Sequence, residues 1–439
     1  MRSKLMALMG LWLMFISSVC LAVPTIQHWQ LANGVQVYFV PTDGLPILDA
    51  QLVFDAGSAR DGEKSGLASL TSGLLEQGAG DLNAQQIAEQ FESVGAQLGV
   101  STSRDFSAIS FRSLTDDQIL NTAWSVLKKV VTSPTFPAVD FQREKDRTLL
   151  SIKQRQESPG TLAQLALYGR IFQGHPYAKP IQGEESSVTK LAVKDLKDFY
   201  SQYYVANKLT VVLVGGISRQ RAEKLVEQLV GKLKAGKKAP AIAAVNVSTN
   251  GGLIHQDYPS QQTHLLYGMP VLAHNDPDYF ALYIGNHILG GSGFSSRIVK
   301  DIREARGLAY SAYSYFHPML QKGPFIMGLQ TKNESVKEAS AAVKQLLENF
   351  LLQGPSDEEV IAAKKNIGGG FALKLDSNKK LLGNVVSIVV SGAPLDYLNT
   401  YVQKIESVTT EQIREAFQRR LIVDSMTMVT VGQTMNEKD

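Results

Sequence analysis

The feature that most limits how this chain can fold is that its second half repeats the plan of its first. Residues 187–215 (SVTKLAVKDLKDFYSQYYVANKLTVVLVG) and 407–432 (SVTTEQIREAFQRRLIVDSMTMVTVG) start at Ser-Val-Thr and run through an amphipathic helix carrying a phenylalanine, Phe199 or Phe417. Both finish as a β-branched strand stopped by glycine, Gly215 or Gly432. A second correspondence has the same offset of about 220 residues. Pro134 stands ahead of a helix bearing Glu144 and Lys145, and Pro355 ahead of Lys364 and Lys365. Two matches at one offset predict a duplicated domain of roughly 200 residues.

Within the first copy, Asn83 is placed to cap a helix with Ile87, Phe91 and Val94 on one face, closed by Gly95. Residues 98–113 then alternate as an antiparallel strand pair does. Strands mixed with long helices give an α+β class, each domain a mostly antiparallel sheet with helices gathered on one face. The domains are expected at residues 23–231 and 253–439. The link, 232–252, carries Lys232, Lys234, Gly236, Lys237, Lys238 and Pro240 and reads as a solvated linker rather than a nucleic-acid patch.

At the start, Arg2 and Lys4 precede an uncharged apolar run from Leu5 to Ile16 that ends in small residues up to Ala22. This fits a signal peptide, residues 1–22, cleaved after Ala22. The run is short for a membrane span, and Val19 before Cys20 is large for a lipoprotein signal. Cleavage leaves 42 basic against 41 acidic residues, a net charge of +1, and removes the single cysteine. The expected location is the periplasm of a Gram-negative bacterium, with no stable membrane span after cleavage. A balanced charge excludes a nucleic-acid partner, and a lone cysteine excludes disulfides, cysteine-held zinc and iron–sulfur clusters within one chain.

Zinc hydrolysis needs ligands on one helical face. No two of the seven histidines lie within eight residues of each other, and none has a glutamate at helical spacing. Gly290, Gly291 and Gly293 lack the Gly-Lys-Ser/Thr of a phosphate loop, and no Gly-x-Ser-x-Gly elbow occurs. What stands out is residues 290–316, GGSGFSSRIVKDIREARGLAYSAYSYF: a glycine-rich turn, a basic amphipathic helix ending at Gly307, then a tyrosine-rich strand. Arg303 and Tyr310 are seven apart across that junction, and an arginine converging with a phenol suits a peptide carbonyl or developing oxyanion. A surface arginine beside a half-buried tyrosine is the plainer alternative.

The segment from Gly290 to Tyr310 resembles the second-domain signature of the pitrilysin/insulinase family of zinc metallopeptidases, peptidase family M16. That family includes the mitochondrial processing peptidase and many bacterial periplasmic members. The resemblance extends over Phe54–Gly78, Gly95–Ser103, Gly174-His175-Pro176-Tyr177, Gly183 and both domain endings. It implies two similar domains facing each other as a clamshell, with Arg303 and Tyr310 contacting substrate near zinc. The inverted zinc motif, His-x-x-Glu-His, is lost: Ser69, Ser72 and Gly73 stand at its three chemical positions, and the distal ligand falls near Leu150. Hydroxyls, glycine and leucine cannot replace imidazoles and carboxylates around zinc. Leu98, Gly99, Val100 and Ser101 resemble the family's substrate-pairing edge strand.

The resemblance thus implies no cofactor in this chain and a non-catalytic subunit of a heterodimeric periplasmic zinc metallopeptidase. The zinc-bearing paralogous partner subunit would supply metal and base, and the substrate would be a peptide or unfolded polypeptide. A peptide-binding scaffold with no part in proteolysis is the alternative reading, and an independent peptidase with an unrecognised metal site the third.

Overall fold

The computed structural model describes residues 25–434; the expected signal peptide lies outside them. Strands β1 (Gln27–Gln30), β2 (Gln36–Pro41) and β3 (Ile47–Phe54) open the chain. A small hairpin of β4 (Gly78–Ala79) and β5 (Leu82–Asn83) follows. Then come β6 (Gln97–Thr102), β7 (Ser107–Leu114) and, after a run of helices, β8 (Thr210–Gly215). The first sheet has the order β1-β2-β8-β3-β7-β6. The second half supplies β9 (Gly252–Asp257), β10 (Gln262–Leu272), β11 (Ser311–Phe316), β12 (Gly323–Lys332) and β13 (Thr427–Gly432). Their order is β9-β13-β10-β12-β11.

The duplication is therefore one of topology. Strand for strand, β2-β8-β3-β7-β6 matches β9-β13-β10-β12-β11. Each sheet has a single parallel pair in the equivalent place, β2 with β8 and β9 with β13. The fold class is α+β, as the mixed pattern predicts. The Asn83 cap forms a full capping box with Gln86 on the helix Ala84–Glu92, and Gly95 closes the turn at φ +63°.

The second face of each sheet is covered from the other half. Helix Pro159–Ile171, from the first half, packs on β10 and β13 of the second sheet. Helix Asn378–Ser391, from the second half, packs on β3 and β8 of the first. The two helices stand about 220 residues apart, so the copies exchange equivalent helices. Each half's own helices otherwise gather on one face of its sheet, as expected, and the other face is covered by the exchanged helix. This explains why β8 reads Thr-Val-Val-Leu-Val-Gly without alternation, since both its faces are buried. Leu162, Leu167, Tyr168 and Ile171 of the first crossing helix share a core with Leu266, Ile326, Val429 and Val431. Each such side chain contributes about 1.5–3 kcal/mol when fully buried, so parting the halves is costly.

Polar contacts lock the same seam. Asp105, buried between the halves, accepts the Tyr177 hydroxyl and the Leu320 backbone N–H at 2.9 Å. The Gln321 N–H donates to the Tyr177 oxygen at 3.2 Å. The link between domains is only partly solvated. Its lysines are exposed, but beyond them Pro240, Ile242 and Ala243 accept hydrogen bonds from Arg60, Gln321 and His175, and Val245 is buried. Among the described residues, no helix is long and apolar enough to cross a membrane.

Candidate functional site

The zinc-motif positions fall on one short helix, Leu67–Gly73, whose apolar face joins the first core through Leu67, Ala68 and Leu70. Gly66 begins it in the left-handed region at φ +96°, and a Cβ there would lie 2.8 Å from the Gln182 carbonyl oxygen. The buried Asp61 carboxylate accepts the N–H groups of Gly66 (2.7 Å) and Ala68 (2.8 Å), capping the helix.

The surviving positions are not equivalent. Ser69 and Gly73 are half-buried, whereas Ser72 is 2% exposed and its hydroxyl makes no hydrogen bond of good geometry among the described residues. It lies near the phenol of Tyr204, pushed up to about 12 by complete burial. Leu150 sits on helix Ala138–Arg155 with its side chain exposed, while Leu149 turns toward the core. Among the described residues, no three His, Cys, Asp or Glu side chains gather to hold a metal. The family's zinc does not fit this helix: hydroxyls, a glycine and a leucine offer neither imidazole nor carboxylate.

Beside that helix runs β6, at the edge of the first sheet. Leu98 and Val100 pack inward against the core, leaving Gly99 and Ser101 on the opposite face. One side of β6 pairs with β7, Gly99 opposite Ser110 and Ser101 opposite Ala108; among the described residues the other side carries no strand.

The signature segment forms in the second half. Helix Tyr279–Asn286 runs into a π-wound turn, His287–Gly291, where the Ser292 N–H reaches back five residues to His287. Gly290 is where this turn meets β11: a Cβ there would lie 2.3 Å from the Ser314 hydroxyl. Asn286 closes the same contact, accepting from Ser314 Oγ at 2.7 Å and donating to the Ser314 carbonyl at 3.1 Å. The helix expected next is π-wound from Val299 to Ala305 rather than regular, with the Arg306 N–H bonded to Asp301. Gly307, at φ +64°, ends it as the sequence predicts.

This winding brings Arg303 and Tyr310 together. The guanidinium carbon of Arg303 lies 4.9 Å from the ring centre of Tyr310 and 4.9 Å from that of Phe294. Both rings are open to solvent, Tyr310 at 81% and Phe294 at 70% exposure. Tyr310 is therefore an exposed clasp rather than the half-buried tyrosine of the plainer alternative. Phe294 was not singled out by spacing; its signal is an aromatic residue inside a glycine-serine turn. The neighbouring arginines are engaged elsewhere. Arg297 forks onto Glu359 at 2.8 and 2.5 Å and holds that carboxyl below the usual range, while Arg306 pairs with Asp301 at 2.9 Å. Among the described residues, Arg303 has no carboxylate partner. The segment packs on β11 and on helix Val336–Gln353, both in the second half.

Comparison with known proteins agrees with this architecture. Residues 46–185 match the family model described as Insulinase (Peptidase family M16), and residues 190–367 the one described as Peptidase M16 inactive domain. A crystal structure of a peptidase M16 inactive domain from Pseudomonas fluorescens is 34% identical, with a TM-score of 0.91, and covers 94% of this chain and 99% of that one. A Helicobacter pylori protein named "Non-peptidase homolog YmxG" is 26% identical over 95% of this chain and 96% of its own. A Bacillus subtilis protein named "Uncharacterized zinc protease YmxG" is 24% identical over 94% and 99%. The chain belongs to peptidase family M16, in a form that lacks the inverted zinc motif and keeps the arginine–tyrosine pair.

Proposed function

We propose that this chain is the non-catalytic subunit of a heterodimeric, periplasmic zinc metallopeptidase. Its partner is a paralogue carrying the zinc motif, which supplies metal and general base. This chain supplies Arg303 and Tyr310 to the partner's cleft. The observation that carries the reading is the state of Arg303: among the described residues it alone of three neighbouring arginines has no carboxylate partner, and its guanidinium carbon lies 4.9 Å from the centres of two exposed rings. A guanidinium and a phenol so placed can donate to a scissile carbonyl oxygen as negative charge develops on it. Losing one such donor costs roughly 2.7–4 kcal/mol, a factor of about 10² to 10³ in rate. The substrate is a peptide or unfolded polypeptide, extended along the free edge of β6, where backbone bonds suffice despite changed side chains.

The test is a mixed complex with the zinc-bearing paralogue. Arg303→Ala and Tyr310→Phe should each slow peptide cleavage while leaving assembly intact; cleavage at the unmutated rate would remove their role. Peptide binding without proteolysis is the second reading, favoured by the unpaired edge of β6 beside a lost metal site. It predicts peptide affinity in the isolated chain and no gain of cleavage with any paralogue.

A further inference from the structure

Apart from the arginine–tyrosine clasp, the second half holds a cavity of about 590 Å³ that neither the zinc motif nor that pair explains. That volume is within the range of small-ligand sites. Its walls come from helix Tyr279–Asn286, helix Tyr397–Ser407 (Tyr397, Tyr401), helix Asn378–Ser391 and the turn at Phe371. Flat aromatic faces line it. Tyr279 and Tyr283 are parallel within 4° at 5.9 Å, Phe371 stacks on Tyr401 at 4.6 Å, and Phe280 lies 6.0 Å from Tyr397. Burial raises the phenols of Tyr279, Tyr397 and Tyr401, so they remain neutral donors.

Two lysines stand at this cavity. Lys374 Nζ donates to the Tyr283 hydroxyl at 3.1 Å and lies 5.5 and 5.7 Å from the ring centres of Tyr283 and Tyr401. Lys404 Nζ lies 5.3 and 5.8 Å from those of Tyr397 and Phe280. The nearby acids are already committed: Asp276 is paired with Arg420, and Asp278 with Arg419 and Arg420. Neither lysine has a carboxylate partner among the described residues. An aromatic box with two uncompensated ammonium groups is complementary to an anion carried on a flat apolar body.

We infer that this cavity is a binding site for a carboxylate joined to an aromatic ring, the ring lying among the tyrosines and the carboxylate held between Lys374 and Lys404. The chemistry fits either a small aryl carboxylic acid or a polypeptide ending in an aromatic residue. The site does not rest on the half-peptidase reading and is tested on the chain alone. Occupancy also fastens helix Asn378–Ser391, whose other face packs on the first sheet, so ligand should raise the melting temperature of the whole molecule.

The experiment is calorimetric titration and thermal melting of the mature chain with N-acetylphenylalanine, its primary amide, acetate, and a pentapeptide ending in phenylalanine with a free carboxylate. The site predicts that the acid binds and raises the melting temperature, with the amide weaker by roughly ten-fold or more. Acetate, lacking the ring, should not bind at the same concentrations. Replacing both lysines (Lys374→Met with Lys404→Met) should bring the acid down to the amide's affinity, and Lys374→Arg with Lys404→Arg should preserve the preference. A tighter peptide identifies a polypeptide end as the source, equal affinity a small aryl acid; both uphold the site. Equal binding of acid and amide to the unmodified chain, or no binding of either, would overturn it without reference to any variant.

Discussion

At the scale of single residues, the lost zinc motif is not simply three substitutions awaiting reversal. Gly73 has open space where a Cβ would go and Ser69 is half-buried, so Ser69→His and Gly73→His should fold normally. Ser72 is different. It is packed beside Tyr204, and a glutamate there would bring extra volume and a carboxylate into a buried place. Ser72→Glu should therefore cost about 1–3 kcal/mol in urea unfolding, and more if the carboxylate stays charged. Arg303 presents the opposite case, a residue with few structural duties. Arg303→Ala should change stability by no more than about 0.5 kcal/mol, measured by the same unfolding curve, while slowing cleavage by the mixed enzyme about 10²- to 10³-fold. Arg303 and Tyr310 were singled out by their spacing, and Ser69, Ser72 and Gly73 by the family resemblance. That Leu150 points to solvent, and that Phe294 completes the clasp, were not legible in the sequence, because both depend on helix rotation and on π-winding that no spacing rule encodes.

At the scale of elements, the signature segment works only if its glycine-rich turn meets β11 closely. Gly290→Ala would place a methyl group 2.5 Å from the Ser314 backbone nitrogen, so strand and turn must separate. The expected cost is about 1–3 kcal/mol of stability, together with a fall in mixed-enzyme cleavage as Arg303 leaves its rings. Asn286→Ala breaks the paired bonds to Ser314 and should act in the same direction at about 1–3 kcal/mol; chemical denaturation of each variant checks both. The terminal strands β8 and β13 were readable because their apolar, β-branched runs stop at Gly215 and Gly432. The helix exchange was not readable. Leu162, Leu167 and Ile171 give Pro159–Ile171 an apolar surface, but the sheet that surface meets is settled by packing between halves, which local periodicity does not contain.

At the scale of the whole molecule, the exchanged helices make the two halves one folding unit, and the polar seam makes that unit sensitive to acid. His274 and His317 are both held below the usual histidine range, chiefly by burial. They repel one another, His317 is also disfavoured as a cation by Arg104, and Asp105 acts against these effects. A histidine whose pKa is depressed on folding contributes stability that is present above its unfolded value, near 6.5, and lost as pH falls through the folded value. His264 and His287 are shifted the same way. The buried Asp61 carboxyl, pushed up to about 7 by burial, works the other way and favours the fold as pH falls. The histidine contribution is therefore read by difference: between pH 7.5 and pH 5 the urea midpoint of the unmodified chain should fall more, or rise less, than that of His317→Gln, and equal slopes would exclude the seam as its source. The duplication that fixes this architecture was visible in two matching chain endings, whereas the seam joins Asp105, Tyr177 and Leu320 across long stretches of sequence. The half-enzyme role stands or falls on cleavage of a quenched fluorescent peptide library by the mature chain alone, by a zinc-motif paralogue alone, and by the two mixed. Chelator-sensitive cleavage should appear only on mixing; full activity of the paralogue alone, unchanged by this chain, would rule the role out.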